Sequence, residues 1–118
     1  MTTRRLKTYS AESGYVYQYF FLESRERRGF WGRTGTAFLF SVSGDGRTSV
    51  ELEIAVEDAA LHAWGKAHGR ALTGTETYAA AKMRLFRVFD ETPSPAELQH
   101  ARVDSSNIEA LLQPLKLD

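Results

Sequence analysis

Two stretches that alternate apolar and polar residues predict a β-hairpin over residues 36–56, on either side of a Gly-Asp-Gly turn. Because side chains alternate with period 2, a shift of one residue would move an entire apolar set into water. An odd-numbered loop, of three residues (45–47) or five (44–48), keeps the apolar sets opposed. Glu51 and Glu53 then lie on the opposite, wet face of the hairpin. The predicted pairs are Val42 with Val50, Phe40 with Leu52, and Phe38 with Ile54.

A strand is also predicted for residues 15–22, which are rich in aromatic and β-branched residues. One face carries Tyr15, Tyr17, Tyr19 and Phe21, and the other carries Val16, Gln18, Phe20 and Leu22. We expect the aliphatic face to join the core, which leaves a half-wet tyrosine stripe. In the alternatives, helices cover the tyrosines, the tyrosines form cross-strand pairs, or the stripe builds a dimer interface or ligand groove.

Residues 23–35 contain three glycines and many charges, which is typical of a long loop or a mobile hairpin tip. Guanidinium groups bind phosphate or carboxylate through a planar fork, and aromatic rings stack on bases or apolar ligands. A structural alternative tucks the aromatic residues under the sheet and leaves the arginines solvated. The predicted binding residues are Arg25, Arg27, Arg28, Phe30, Trp31 and Arg33 of this loop, with Tyr15, Tyr17 and Tyr19 of the stripe.

The second half of the chain has a helical pattern. An Ala-rich segment with early acidic residues predicts a helix that begins at Glu57 and ends at Gly69. Thr73 and Glu76 have the spacing of a capping box, which predicts a longer helix over residues 74–91. A short helix is predicted for 96–102, and a last one after residue 104.

This order of elements favours an α+β fold, because strands come first and helices later. The prediction is one domain over residues 1–118, with residues 1–13 flexible or forming a short edge strand. The sheet is expected to be a three-stranded antiparallel β-meander, with three to four helices packed on one of its faces. Such a small sheet also suggests a homodimer, through a sheet edge or the tyrosine face.

Composition limits the cellular location and the kind of partner that the sequence predicts. The chain has no cysteine, which fits a reducing cytoplasm, and no apolar run approaches the roughly 20 residues that span a bilayer. We therefore predict a cytoplasmic protein without a membrane partner. The net charge is zero, but residues 1–33 hold seven Lys/Arg and three Glu, a net charge of +4. An anionic partner is expected to meet this basic third.

Three function classes remain. The first is a non-catalytic interaction or regulatory module that binds a protein or a small anionic ligand. The second is a nucleic-acid-binding module that uses the basic aromatic loop, and the third is a small enzyme. The enzyme would use His62, His68 or His100 as a base, with Asp45, Asp58 or Glu57.

No cofactor, metal site or catalytic residue is assigned. Asp58 and His62 have a four-residue spacing that suits a metal, but zinc needs a third ligand. No glycine-rich phosphate loop and no RNA-recognition signature is present in the sequence.

Overall fold

The structure, a computed structural model, describes residues 5–28 and 33–117. One five-stranded sheet has the strand order β1-β2-β3-β4-β5; all neighbours are antiparallel except β4 and β5, which are parallel. The strands are β1 (Lys7–Ser10), β2 (Val16–Arg28), β3 (Thr34–Ser43), β4 (Val50–Glu57) and β5 (Ala101–Val103). The helices are α1 (Asp58–His68), α2 (Gly74–Glu91) and α3 (Ile108–Leu112), with short 3-10 turns at Pro95–Glu97 and Gln113–Leu115.

The α+β class is confirmed. The three predicted strands pair as an antiparallel meander, β2-β3-β4, but the sheet has five strands and is mixed. β1 is the short edge strand that was one alternative for residues 1–13, and β5 adds a parallel strand beside β4. The helix predicted over 96–102 is one 3-10 turn followed by β5. Val103 is buried beside Val56 of β4 in this position, so pairing with a sheet edge outweighs the local helix-start signal.

The register of the central hairpin is confirmed. Val42 pairs with Val50, Phe40 with Leu52 and Phe38 with Ile54. The predicted loop is too short, because residues 44–49 all lie outside both strands. The carboxylate of Asp45 accepts hydrogen bonds from the amides of Arg47 and Thr48, both at 2.8 Å. These amides lower the pKa of Asp45 and hold the longer loop in shape.

The predicted loop over 23–35 is wrong in extent. β2 runs to Arg28 and β3 begins at Thr34, so most of the charged segment is strand. Arg25 pairs with Ala37 and Arg27 with Gly35, after an irregularity between Phe21 and Glu23. Pairing with β3 satisfies the backbone of a segment whose side chains remain in water.

The predicted exposure of the two faces of β2 is reversed. Tyr17 is 0% exposed, whereas Val16 is 52% exposed. Tyr19 pairs with Val42, so the tyrosines lie on the same side of the sheet as the apolar set of the hairpin. The alternative in which helices cover the tyrosines is confirmed, since Phe89 of α2 stacks on Tyr17.

The two long helices match the sequence prediction closely. α1 ends at Gly69, whose positive φ of 74° suits glycine. α2 begins after Thr73, and both hydrogen bonds of the Thr73–Glu76 capping box are present. Within the described part of the chain, no helix has both the length and the apolar character needed to cross a membrane.

The sheet has a helix-covered face and an open face. Phe38, Phe40 and Ile54 belong to one buried cluster with side chains from all three helices, including Trp64 and Phe89. Residues that alternate with these point away from the helices. We call that side the open face, and it is the side that carries the candidate site.

Candidate functional site

One row of residues across the open face has small side chains in the middle and charged ones at both ends. Arg25, Ala37, Ala55 and Arg102 occupy paired positions across β2, β3, β4 and β5. Neighbouring strands are about 4.8 Å apart, so the two arginines border an alanine strip that is two strands wide. Ala37 is buried, whereas Ala55 lines a cavity next to Arg102.

This cavity, of about 630 Å³, opens at the Arg102 end of that row. We call it the arginine cavity. Gly35 and Ala55 line it with small side chains, and Glu53, Glu57 and His100 add polar groups. Its cationic side chains are Arg27, Arg33, Arg84 and Arg102.

Two of the four arginines are held by carboxylates. Arg27 forms an ion pair with Glu53, across β3. Arg102 lies between Glu57 and Asp104, with nitrogen–oxygen distances of 3.8 and 3.4 Å. Hydrogen bonds from Ser106, aided by Arg102, keep the pKa of Asp104 below its usual value. These pairs fix two side walls of the arginine cavity.

The other two arginines have no carboxylate partner among the described side chains. Arg33 precedes β3, and the Arg84 guanidinium reaches from α2, where its Nε donates to the Arg102 carbonyl at 3.1 Å. Four guanidinium groups and two carboxylates leave a net charge of +2 on the lining with His100 neutral. The arginine cavity is therefore an electrostatic site for an anion.

His100 is fixed in one tautomer. The Glu53 amide donates to Nδ1 of His100 at 3.0 Å, so Nδ1 is the acceptor nitrogen of the ring. The ring proton then lies on Nε2. His100 is thereby held among the residues that line the cavity.

Gly35 lies where the backbones of β3 and β4 come close together. A Cβ atom added at this position would lie 2.1 Å from the Val56 carbonyl oxygen and 3.0 Å from the Glu57 Cα. β3 and β4 approach so closely here that a side chain does not fit without displacing backbone.

The structure does not bring all the predicted binding residues of the 23–35 segment together. Arg27 and Arg33 line the arginine cavity, but Arg25 and Arg28 are exposed beside Glu23 and Glu26, at 3.1 and 3.6 Å. Phe30 and Trp31 lie outside the described residues.

The three predicted tyrosines do not lie together with the arginines of the cavity. Tyr17 and Tyr19 are buried in the core on the helix-covered face, where an external ligand does not reach them. Tyr15 is exposed, immediately before β2, and does not line the arginine cavity.

Sequence reasoning did not bring three residues to this site: His100 was considered only as a candidate base, and Arg84 and Arg102 only as parts of predicted helices. No local signal brings the Arg84 side chain of α2 next to β5, because this placement depends on the parallel pairing of β5 with β4.

Asp58 and His62, whose spacing suits a metal, were not assigned as a metal site. Among residues 5–28 and 33–117, no group of three His, Asp or Glu side chains is placed to hold a metal ion. Asp58 instead accepts a hydrogen bond from the Thr34 hydroxyl at 2.9 Å.

The geometry of the open face is the basis for assigning a function to this chain. Comparisons with protein-family models, with curated proteins and with solved structures gave no match.

Proposed function

We propose that this chain is a non-catalytic binding module that holds a small anion in the arginine cavity. The observation that carries the proposal is the convergence of Arg33 and Arg84, without carboxylate partners among the described residues, on a cavity whose other two arginines are already paired. A bound anion would form charge-assisted hydrogen bonds with these two guanidinium groups. Each such bond contributes about 1.5–3 kcal/mol when it is shielded from water.

We propose a non-catalytic role because His68, His100 and Asp45, three of the candidate catalytic residues, make structural contacts. His68 stacks on Trp64 at 4.1 Å and bonds Glu109 at 2.6 Å, so it joins α1 to α3. His100 accepts from a backbone amide, and Asp45 caps a loop. These groups have structural partners, and the geometry pairs none of them with a nucleophile.

A small anion is favoured over a nucleic acid by the pattern of charges on β2. Arg25 and Arg28 are each beside a glutamate of their own strand, which cancels the cationic track that a phosphate backbone needs. Arg33 and Arg84, which have no carboxylate partner among the described residues, instead lie together at one cavity.

The experiment is a titration with inorganic phosphate, followed by backbone amide shifts in NMR spectra. We expect saturable shifts at residues 53–57 and 100–102. Arg33→Gln is expected to weaken binding about tenfold, the equivalent of about 1.4 kcal/mol. Arg28→Gln is the control, because Arg28 is an exposed arginine outside the lining of the cavity.

Arg84→Gln provides a second variant, with Arg87→Gln, on the exposed side of the same helix, as its control. Equal loss of binding in both members of either pair would show non-specific attraction and contradict the proposal. Binding to an oligonucleotide that falls steeply with salt, without saturable phosphate shifts at the cavity, would instead support the nucleic-acid class.

A further inference from the structure

The bottom of the arginine cavity differs chemically from its walls. Gly35 and Ala55 line it from neighbouring strands, and neither projects beyond a methyl group. Together they form a shallow apolar surface between Arg27 on β2 and Arg102 on β5. A free inorganic anion would interact with the walls and leave this surface in water.

The size of the cavity also exceeds what an inorganic anion fills. Its volume of about 630 Å³ lies within the range of about 300–1,000 Å³ of pockets that hold organic ligands. Such pockets combine an apolar surface with a few placed polar groups, which is the arrangement found here. A ligand with a carbon body would bury the apolar bottom and gain about 25 cal/mol per Å² of apolar area removed from water.

The guanidinium groups favour a flat body. Arginine stacks on aromatic faces through its planar group as well as forming hydrogen bonds with its edge. A ring that lies on Gly35 and Ala55 is bordered by arginines on several sides, so both kinds of contact are available.

The glutamates favour a low ligand charge. Glu53 and Glu57 line the same cavity, and each additional negative charge on the ligand meets their repulsion. A carboxylate carries one charge and matches the arginine fork, whereas a phosphate carries up to two.

We propose that the arginine cavity takes a small organic carboxylate with a flat apolar body, which lies on Gly35 and Ala55 while its carboxylate meets the unpaired arginines. This inference rests on the proposed function, because it names the class of anion for that same site.

Four probes separate the contributions. Benzoate has the charge and the flat ring, and cyclohexanecarboxylate has the charge and a puckered ring. Benzyl alcohol has the ring without the charge, and inorganic phosphate has charge without a body. Calorimetry or amide-shift titration is expected to give the tightest binding for benzoate, severalfold weaker binding for cyclohexanecarboxylate, and no saturable binding for benzyl alcohol.

Ala55→Leu tests the bottom of the cavity. The larger side chain occupies the space of the ring, so we expect benzoate affinity to fall about tenfold or more while phosphate affinity stays within about twofold. Ala55→Val is a second variant, since β-branched residues suit strands, and a smaller loss is expected. Ser41→Leu is the matched control, because Ser41 is on the open face of β3 but outside the lining.

The outcomes distinguish the two proposals. Phosphate binding that depends on Arg33, together with benzoate binding that is no tighter than cyclohexanecarboxylate or is unaffected by Ala55→Leu and Ala55→Val, overturns this inference and leaves the proposed function in place. Absence of saturable binding for all three anions overturns both.

Discussion

The ring of Tyr17 stacks on that of Phe89 with centroids 4.3 Å apart and planes 8° from parallel. Its hydroxyl oxygen is buried and has no hydrogen-bond partner among the described residues. Burial raises the pKa of Tyr17. The contact joins β2 to the last turns of α2 and shows that the tyrosine face serves the core.

Tyr17→Phe is expected to leave the free energy of unfolding unchanged or to increase it by up to about 1 kcal/mol, because the variant removes a buried polar group without a partner. The measurement is urea-induced unfolding, monitored by circular dichroism. A loss of more than about 1 kcal/mol would show that the hydroxyl has a partner in solution.

Tyr9→Phe is the matched comparison, and the opposite result is expected. The Tyr9 hydroxyl donates to Asp90 at 2.7 Å, and Asp90 also accepts from the Glu12 amide at 3.0 Å. Burial, with this hydrogen bond, raises the pKa of Tyr9 to about 12. The variant is expected to lose about 1–2 kcal/mol of stability in the same unfolding experiment; equal stability of Tyr9→Phe and Tyr17→Phe would contradict this assignment.

Gly35→Ala is expected to destabilise the protein by about 1–3 kcal/mol, because its Cβ would lie 2.1 Å from the Val56 carbonyl oxygen. Gly74→Ala is the control, since an added Cβ at the first residue of α2 meets nothing within 4 Å. Alanine favours helices, so this control is expected to be neutral or slightly stabilising. Thermal unfolding of the two variants checks the difference, and a Gly35→Ala protein as stable as the control would refute the close approach of β3 and β4.

Acid is expected to remove the contribution of Glu76 to stability. Its hydrogen bonds with Arg70, at 2.8 and 2.9 Å, and with the Thr73 amide lower its pKa from 4.5 to about 2. A pKa that is lower in the folded state stabilises the fold above pH 4.5, and this stabilisation disappears as the pH falls from about 4.5 to about 2.

The measurement is the difference in unfolding free energy between the wild-type protein and Glu76→Gln as a function of pH. The wild-type advantage is expected at neutral pH and should shrink through this acid range. Glu91→Gln, at the exposed end of the same helix, controls for removal of a carboxylate from α2. A wild-type advantage that persists unchanged at low pH would contradict the role of Glu76.

Phosphate or benzoate binding is expected to weaken when salt is added, since part of the arginine cavity is open to solvent. The Debye length falls from about 10 Å at 0.1 M to about 3 Å at 1 M ionic strength, so contacts at hydrogen-bond distance persist while longer-range attraction is screened. Titration at two salt concentrations is therefore expected to show a moderate loss of affinity. A complete loss at moderate salt would indicate attraction without direct contact.

The sequence predicted correctly those elements whose signals lie within a few neighbouring residues, namely the central hairpin and α2. The hairpin register follows from the alternation around Phe40 and Leu52, and α2 follows from the capping box at Thr73. Both signals lie within or beside the element that they specify.

The faces of β2 and the identity of β5 depend on contacts distant in sequence. Both faces of residues 15–22 are apolar, so periodicity alone does not show which face α2 covers. β5 has three residues, too few for a strand pattern, and follows a proline that suggests a helix start. The arginine cavity joins Arg27, Arg84 and Arg102 from three such distant segments, so only two of its four arginines were predicted.

The central claim is that the arginine cavity binds a small anion. The most direct measurement is a titration of the wild-type protein with inorganic phosphate and with benzoate, followed by backbone amide shifts. We predict saturable shifts at Ala55 and Arg102. No comparable change is expected in the loop 44–49, which is at the opposite end of β3 and β4 from the cavity. Shifts confined to other regions, or no saturable shift with either anion, would contradict it.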